Sequence, residues 1–107
     1  MMIRVKLWRK YLSWPDTKAQ FELSVEKGKV VDAKIIGYFV DMYGMEHQFV
    51  RWDNSHGKFH KDCCYKKGGG KEYIKGMTLN EAFIWATRDL IANWRKYKKE
   101  YIKNFIS

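Results

Sequence analysis

The chain is short of acid, proline, cysteine and histidine, and each scarcity excludes something. Twelve Asp and Glu stand against 21 Lys and Arg, with one proline, two cysteines and three histidines among 107 residues. The two cysteines, Cys63 and Cys64, are neighbours, a spacing that rarely closes a disulfide and does not match the Cys-x-x-Cys pattern of zinc sites. They read as reduced thiols on opposite faces of a strand, in a reducing cytoplasm. No apolar run approaches the roughly 18 residues that a membrane span needs. The start, MMIRVKLWRKYL, carries charge through any would-be signal core, so a soluble cytoplasmic protein without a membrane partner is expected. Repeats and low-complexity tracts are also missing, and 107 residues suffice for one core but not two, so residues 1–107 read as a single domain.

What is present is apolar and basic. Residues of apolar type make up 46% of the chain and aromatics 17%, which argues for a packed globule rather than a disordered tail. The formal charge of +9 attracts phosphate polyanions before any contact forms, which makes RNA or another nucleic acid the expected partner. The bland alternative is that the lysines keep an aromatic-rich protein soluble, as in a thermophile, where Lys and Glu are both enriched.

Periodicity divides the chain in two. Ile3 to Trp8 alternates apolar and basic residues, and Trp14, Pro15 and Asp16 make a break. Ala19 to Glu26 alternates again, Lys27 and Gly28 turn the chain, and Val30 to Val40 returns as a longer strand before a turn at Gly44. Glu46 to Asp53 is a further strand, Asn54 to Gly57 has turn composition, and Lys58 to Tyr65 runs back. Gly68 to Gly70 forms a loop with lysines on both sides but lacks the Gly-Lys-Ser/Thr ending of a phosphate-binding loop. Thr78 and Glu81 then have the spacing of a capping box. Behind them Leu79, Phe83, Ala86, Leu90, Trp94, Tyr97, Tyr101 and Phe105 recur at three and four residues, the stripe of a helix over about 78–105. Its other face carries Arg88, Arg95, Lys96, Lys99 and Lys103, the candidate nucleic-acid contacts, with a solvated face as the alternative. The expected fold is α+β: an antiparallel meander of four to five strands within residues 2–75, packed on one long C-terminal helix. At about 1.5 Å per residue the helix exceeds the width of so small a domain, so its end is expected to project or to pack against a second copy in a homodimer.

The chemistry concentrates in Arg51 to Asp62, RWDNSHGKFHKD. Strand alternation puts His47, Phe49, Arg51 and Asp53 on one face. A four-residue loop at Asn54 to Gly57 would pair Asp53 with Lys58, Arg51 with His60 and His47 with Cys64, gathering His47, Arg51, Asp53, His60 and Asp62 on that face, with His56 on the loop above. A histidine takes or gives a proton near neutral pH, a neighbouring carboxylate orients it, and an arginine stabilises negative charge on a phosphoryl oxygen. These residues would suffice for metal-independent cleavage of RNA, with the 2′-hydroxyl as internal nucleophile and no cofactor. Two other readings stay open: a metal site built from His56 and His60 with Asp53, Asp62 and Cys63 or Cys64, and a structural role in which Arg51 pairs with Asp53 or Asp62 and the histidines cap a turn.

RWDNSHGKFHKD, followed by a glycine loop and the helix LNEAFIWATRDLIANWRKYKKEYI, resembles a family of small uncharacterised prokaryotic proteins. Their shared pattern is Arg-Tyr/Trp-Asp-x-x-His-Gly-x-x-His-x-Asp before a helix containing Asp-Leu-x-x-Asn-Trp. More distantly, the arginine, aspartate and histidine hairpin is similar to that of TumE-like toxins of toxin-antitoxin pairs. That resemblance implies action on RNA or translation, Arg51, Asp53, His56 and His60 in the charged turn, and an antitoxin-like protein partner.

Overall fold

The computed structural model describes residues 2–106, with the His56 side chain outside the description. Six strands precede one helix: β1 Ile3–Ser13, β2 Thr17–Glu26, β3 Lys29–Val40, β4 Glu46–Asp53, β5 His60–Asp62 and β6 Lys71–Tyr73, then α1 Leu79–Phe105. The strands form one antiparallel sheet in chain order, and the helix packs across one face of it. This is the expected α+β meander with one more strand. β6 escapes sequence reading because Lys71–Tyr73 is too short and too polar to show a period. Lys58 to Tyr65 contributes only His60–Asp62, because the chain turns away at Cys63, whose amide donates to the Gly70 carbonyl at 2.9 Å. Cys63 and Cys64 therefore follow a strand instead of lying on one, and both are free thiols.

Alternation in β2 and β3 turns Ala19, Phe21, Ala33, Ile35 and Phe39 toward the helix, where Ala86, Leu90 and Trp94 close the core. Gly37 sits at the closest approach. A Cβ there would lie 2.9 Å from the Phe49 ring and 3.0 Å from Leu90, so only glycine lets helix and sheet meet at this point. The helix starts where Thr78 and Glu81 exchange side-chain-to-backbone hydrogen bonds, the predicted capping box.

The helix end does not project. Tyr101 packs edge-on against Phe39, Asn104 donates to the Tyr65 carbonyl at 2.9 Å, and the 47 Å long axis of the molecule accommodates the helix length. The predicted opposite face is also less uniform than expected: Ile84, Trp85 and Ile91 are exposed beside the basic residues. No helix among the described residues is long and apolar enough to cross a membrane.

Candidate functional site

The site grows from the β4–β5 hairpin, on the sheet face that the helix does not cover. The connection runs from Asn54 to Phe59 through a short 3-10 turn at Ser55–Gly57, longer than the four-residue loop expected from turn composition. Asn54 pins it to β3: its Oδ1 accepts from the Ala33 amide at 3.0 Å and its Nδ2 donates to the Val31 carbonyl at 3.2 Å. The longer connection slips the pairing by two residues, so Asp53 faces His60 and Arg51 faces Asp62, rather than Asp53 facing Lys58 and Arg51 facing His60. Because the side-chain period is also two, the slip leaves the facial assignment intact. Arg51, Asp53, His60 and Asp62 do share one face.

His47 does not join them. Gly37 pairs with Val50 but Tyr38 pairs with Gln48, so Phe49 is an extra residue in β4, and such a bulge reverses the alternation on its far side. Phe49 turns into the core with Val50, and His47 turns toward the helix. There His47 stacks on Phe39 with ring centroids 5.0 Å apart and meets Asp41 Oδ2 at 2.8 Å.

Within the cluster the charges interlock. Arg51 Nε lies 2.9 Å from Asp53 Oδ2 and its Nη2 lies 3.5 Å from Asp62 Oδ2. His60 Nε2 faces Asp53 Oδ1 at 3.4 Å and Asp62 Oδ2 at 3.5 Å. The other ring nitrogen, Nδ1, lies 2.9 Å from the Lys58 carbonyl oxygen. A carbonyl only accepts, so Nδ1 carries a proton, and Nε2 is aimed between two carboxylates. Asp53 Oδ1 also accepts from the Ser55 amide at 3.0 Å and the Ser55 hydroxyl at 2.6 Å. Burial opposes ionisation of Asp53, but the two Ser55 hydrogen bonds and the charges of Arg51 and His60 outweigh it and hold the carboxyl below its ordinary value.

Access to these groups is uneven. The His60 side chain is 3% exposed and that of Asp53 7%, whereas Arg51 is 39% exposed and Asp62 19%. Arg51 and Asp53 line a cavity of about 370 Å³ shared with Lys34 and Glu22. His60 lines another of about 360 Å³ with Ser55, Lys58, Lys71, Tyr73 and Lys75. Lys58, Lys71 and Lys75 were missed by sequence reading. Lys58 lies two residues before His60 in the sequence, whereas Lys71 and Lys75 reach the histidine only through β5–β6 pairing, with His60 opposite Tyr73 and Asp62 opposite Lys71.

Asp53, His60 and Asp62 each offer one ligand atom within 4.8 Å of the others, the one such group of three among the described residues. Arg51 already places its charge on both carboxylates, and Ser55 occupies Asp53 Oδ1 twice. A cation there would compete with an arginine and displace a hydroxyl. The metal reading that spans His56 concerns a side chain outside the described residues.

The remaining predicted residues lie elsewhere. Arg88, Arg95, Lys96, Lys99 and Lys103 are all exposed on the helix, with the sheet between them and the histidine cluster. Arg95 stacks on Trp94 at 4.5 Å from the ring centroid. The helix pattern Asp-Leu-x-x-Asn-Trp serves a second buried network: Lys61 Nζ donates to the Tyr97 hydroxyl at 2.7 Å, and that hydroxyl donates to Asp89 Oδ1 at 2.6 Å. Asn93 donates to the same oxygen at 2.8 Å, and Lys61 lies over the Tyr97 ring at 4.2 Å. Burial first, then the adjacent Asp89 carboxylate, push the Tyr97 hydroxyl well above its ordinary value.

No curated protein and no solved structure matches the chain. A family model described as a domain of unknown function (DUF7718) matches residues 4–105, nearly the whole chain, and the protein belongs to that family.

Proposed function

We propose that the protein is directed at RNA and engages its phosphates on the open face of the sheet, beside the histidine cluster. The observation that carries this reading is the cavity in which Lys58, Lys71 and Lys75 converge on His60. Three lysines lining one small hollow supply positive charge for a phosphate, and Arg51 at the neighbouring cavity offers a partly exposed guanidinium to a second oxygen.

The enzymatic form of the proposal is a metal-independent ribonuclease of toxin type. Arg51 holds the scissile phosphoryl group, His60 and His56 exchange protons with the 2′-hydroxyl and the leaving oxygen, and Asp53 and Asp62 orient His60. The non-enzymatic alternative, a nucleic-acid-binding or protein-binding module, is favoured by one specific feature. Both ring nitrogens of His60 face protein atoms, so a substrate would have to displace a carboxylate contact to reach Nε2.

Labelled RNA oligonucleotides separate the two. Binding that weakens steeply between low and physiological salt, followed by cleavage in EDTA that is lost in His60→Ala and Arg51→Ala, supports the ribonuclease. Binding without product across pH 5 to 9, with or without divalent ions, leaves the binding module. Absence of RNA binding at low salt removes the proposal.

A further inference from the structure

The first strand presents a second surface that the histidine cluster does not use. β1 is an outer strand of the sheet: β2 pairs one of its edges, and the other is open. At about 3.3 Å per residue its 11 residues expose roughly 36 Å of backbone whose outward N–H and C=O groups have no strand partner. Ile3, Val5 and Leu7 are 56%, 61% and 53% exposed on one face of this strand. Arg4, Lys6 and Lys10 lie on the other face with Trp8, which stacks on Phe21, and make no ion pair among the described residues. β1 contains no acidic residue.

Natural edge strands are kept from pairing by being short, bulged, covered or charged; in β1 the irregularity lies at Tyr11–Ser13, so along Ile3 to Leu7 only the positive charges guard the edge, and they repel a like strand but not an acidic one. A second copy of this chain is a poor occupant. Pairing β1 with itself, in any antiparallel register that keeps the two faces, brings Arg4, Lys6 and Lys10 of each copy onto one face, where like charges repel. We infer that β1 is a docking edge for an extended segment of a partner protein in which acidic and apolar residues alternate. Such a segment adds a seventh strand by main-chain hydrogen bonds. Its acidic side chains meet Arg4, Lys6 and Lys10, and its apolar side chains continue the Ile3, Val5 and Leu7 row.

The test uses the full chain and two nine-residue peptides of identical composition. One alternates glutamate with valine, and the other collects them in two blocks. Amide hydrogen exchange followed along β1 is expected to slow by about tenfold at a saturating concentration of the alternating peptide. The block peptide is expected to leave β1 unchanged, and rising salt to weaken the effect. The triple variant Arg4→Glu, Lys6→Glu and Lys10→Glu keeps its circular dichroism spectrum, since all three residues are exposed, and loses the protection. Three results each overturn the inference: equal protection by both peptides, a concentration-dependent dimer that protects β1 by itself, and protection of β1 by an RNA oligonucleotide but not by the alternating peptide.

Discussion

His60, Lys61 and Asp62 are consecutive in β5, yet they belong to two different ionic networks on opposite sides of the sheet. Lys61 points to the helix and is enclosed by Tyr97, Asp89, Trp52 and Tyr65. His60 and Asp62 point the other way and meet Arg51 and Asp53. Both networks satisfy charge with charge and both have a buried centre, but the first lies beneath a 27-residue helix, whereas the second brings Arg51, 39% exposed, and Asp62, 19% exposed, to cavities with lysines on their walls. A closed network spends its charges on holding two layers together. An open one leaves Arg51 and its neighbouring lysines available to something outside.

The largest expected effect falls on the helix side. Lys61→Ala leaves Asp89 buried without its cation, a change that costs about 3–5 kcal/mol in comparable pairs, and chemical denaturation reads it as a lower midpoint. A stability within about 0.5 kcal/mol of the parent breaks the contrast, because that is the range of inert surface changes. His60→Ala is expected to cost less, about 1–3 kcal/mol, since it leaves two carboxylates under-partnered while Arg51 remains. If it proves as damaging as Lys61→Ala, the open cluster is as structural as the closed one.

Ser55→Ala sharpens the contrast through pH. Asp53 has a folded-state value below its unfolded one, so the stability it contributes is present at neutral pH and is lost as pH falls through the folded value. Ser55→Ala removes the hydroxyl donor and raises Asp53 toward the ordinary range. The variant is expected to be weaker by about 1 kcal/mol at pH 7. That gap should close on acidification, and a gap constant from pH 7 down to pH 3 contradicts the assignment. The smallest effect on stability is expected for Lys71→Ala, within about 0.5 kcal/mol. It should nonetheless reduce the salt slope of RNA binding by roughly one, as the loss of a single phosphate contact does.

Residues with a strong local signal were read correctly. The capping box at Thr78 and Glu81 and the stripe Phe83, Ala86, Leu90, Trp94 and Tyr97 depend only on neighbours three and four positions away, and each is where the pattern puts it, whereas Phe105 at the end of the expected stripe is 50% exposed. The shared face of Arg51, Asp53, His60 and Asp62 was legible for a related reason, since a slip of two residues cannot change a period of two. The position of His47 was not, because a bulge at Phe49 depends on how β3 packs beneath the helix and leaves no mark in the residue types. β6 was invisible for the same reason: three residues become a strand only when β5 is there to pair with them.

The residues themselves determined the two-layer architecture, the helix with its cap, the basic character, and the face on which Arg51, Asp53, His60 and Asp62 gather, because short-range periodicity and charge count decide these. Tertiary structure decided the rest. It placed Asp89 and Tyr97 of the helix against Lys61 and separated the basic helix face from the histidine cluster. It also brought Lys71 and Lys75 to the hollow that His60 and Lys58 line. These are pairings between segments distant in sequence, and which segments meet is settled by the register of the sheet and the packing of the core, quantities that no local pattern encodes.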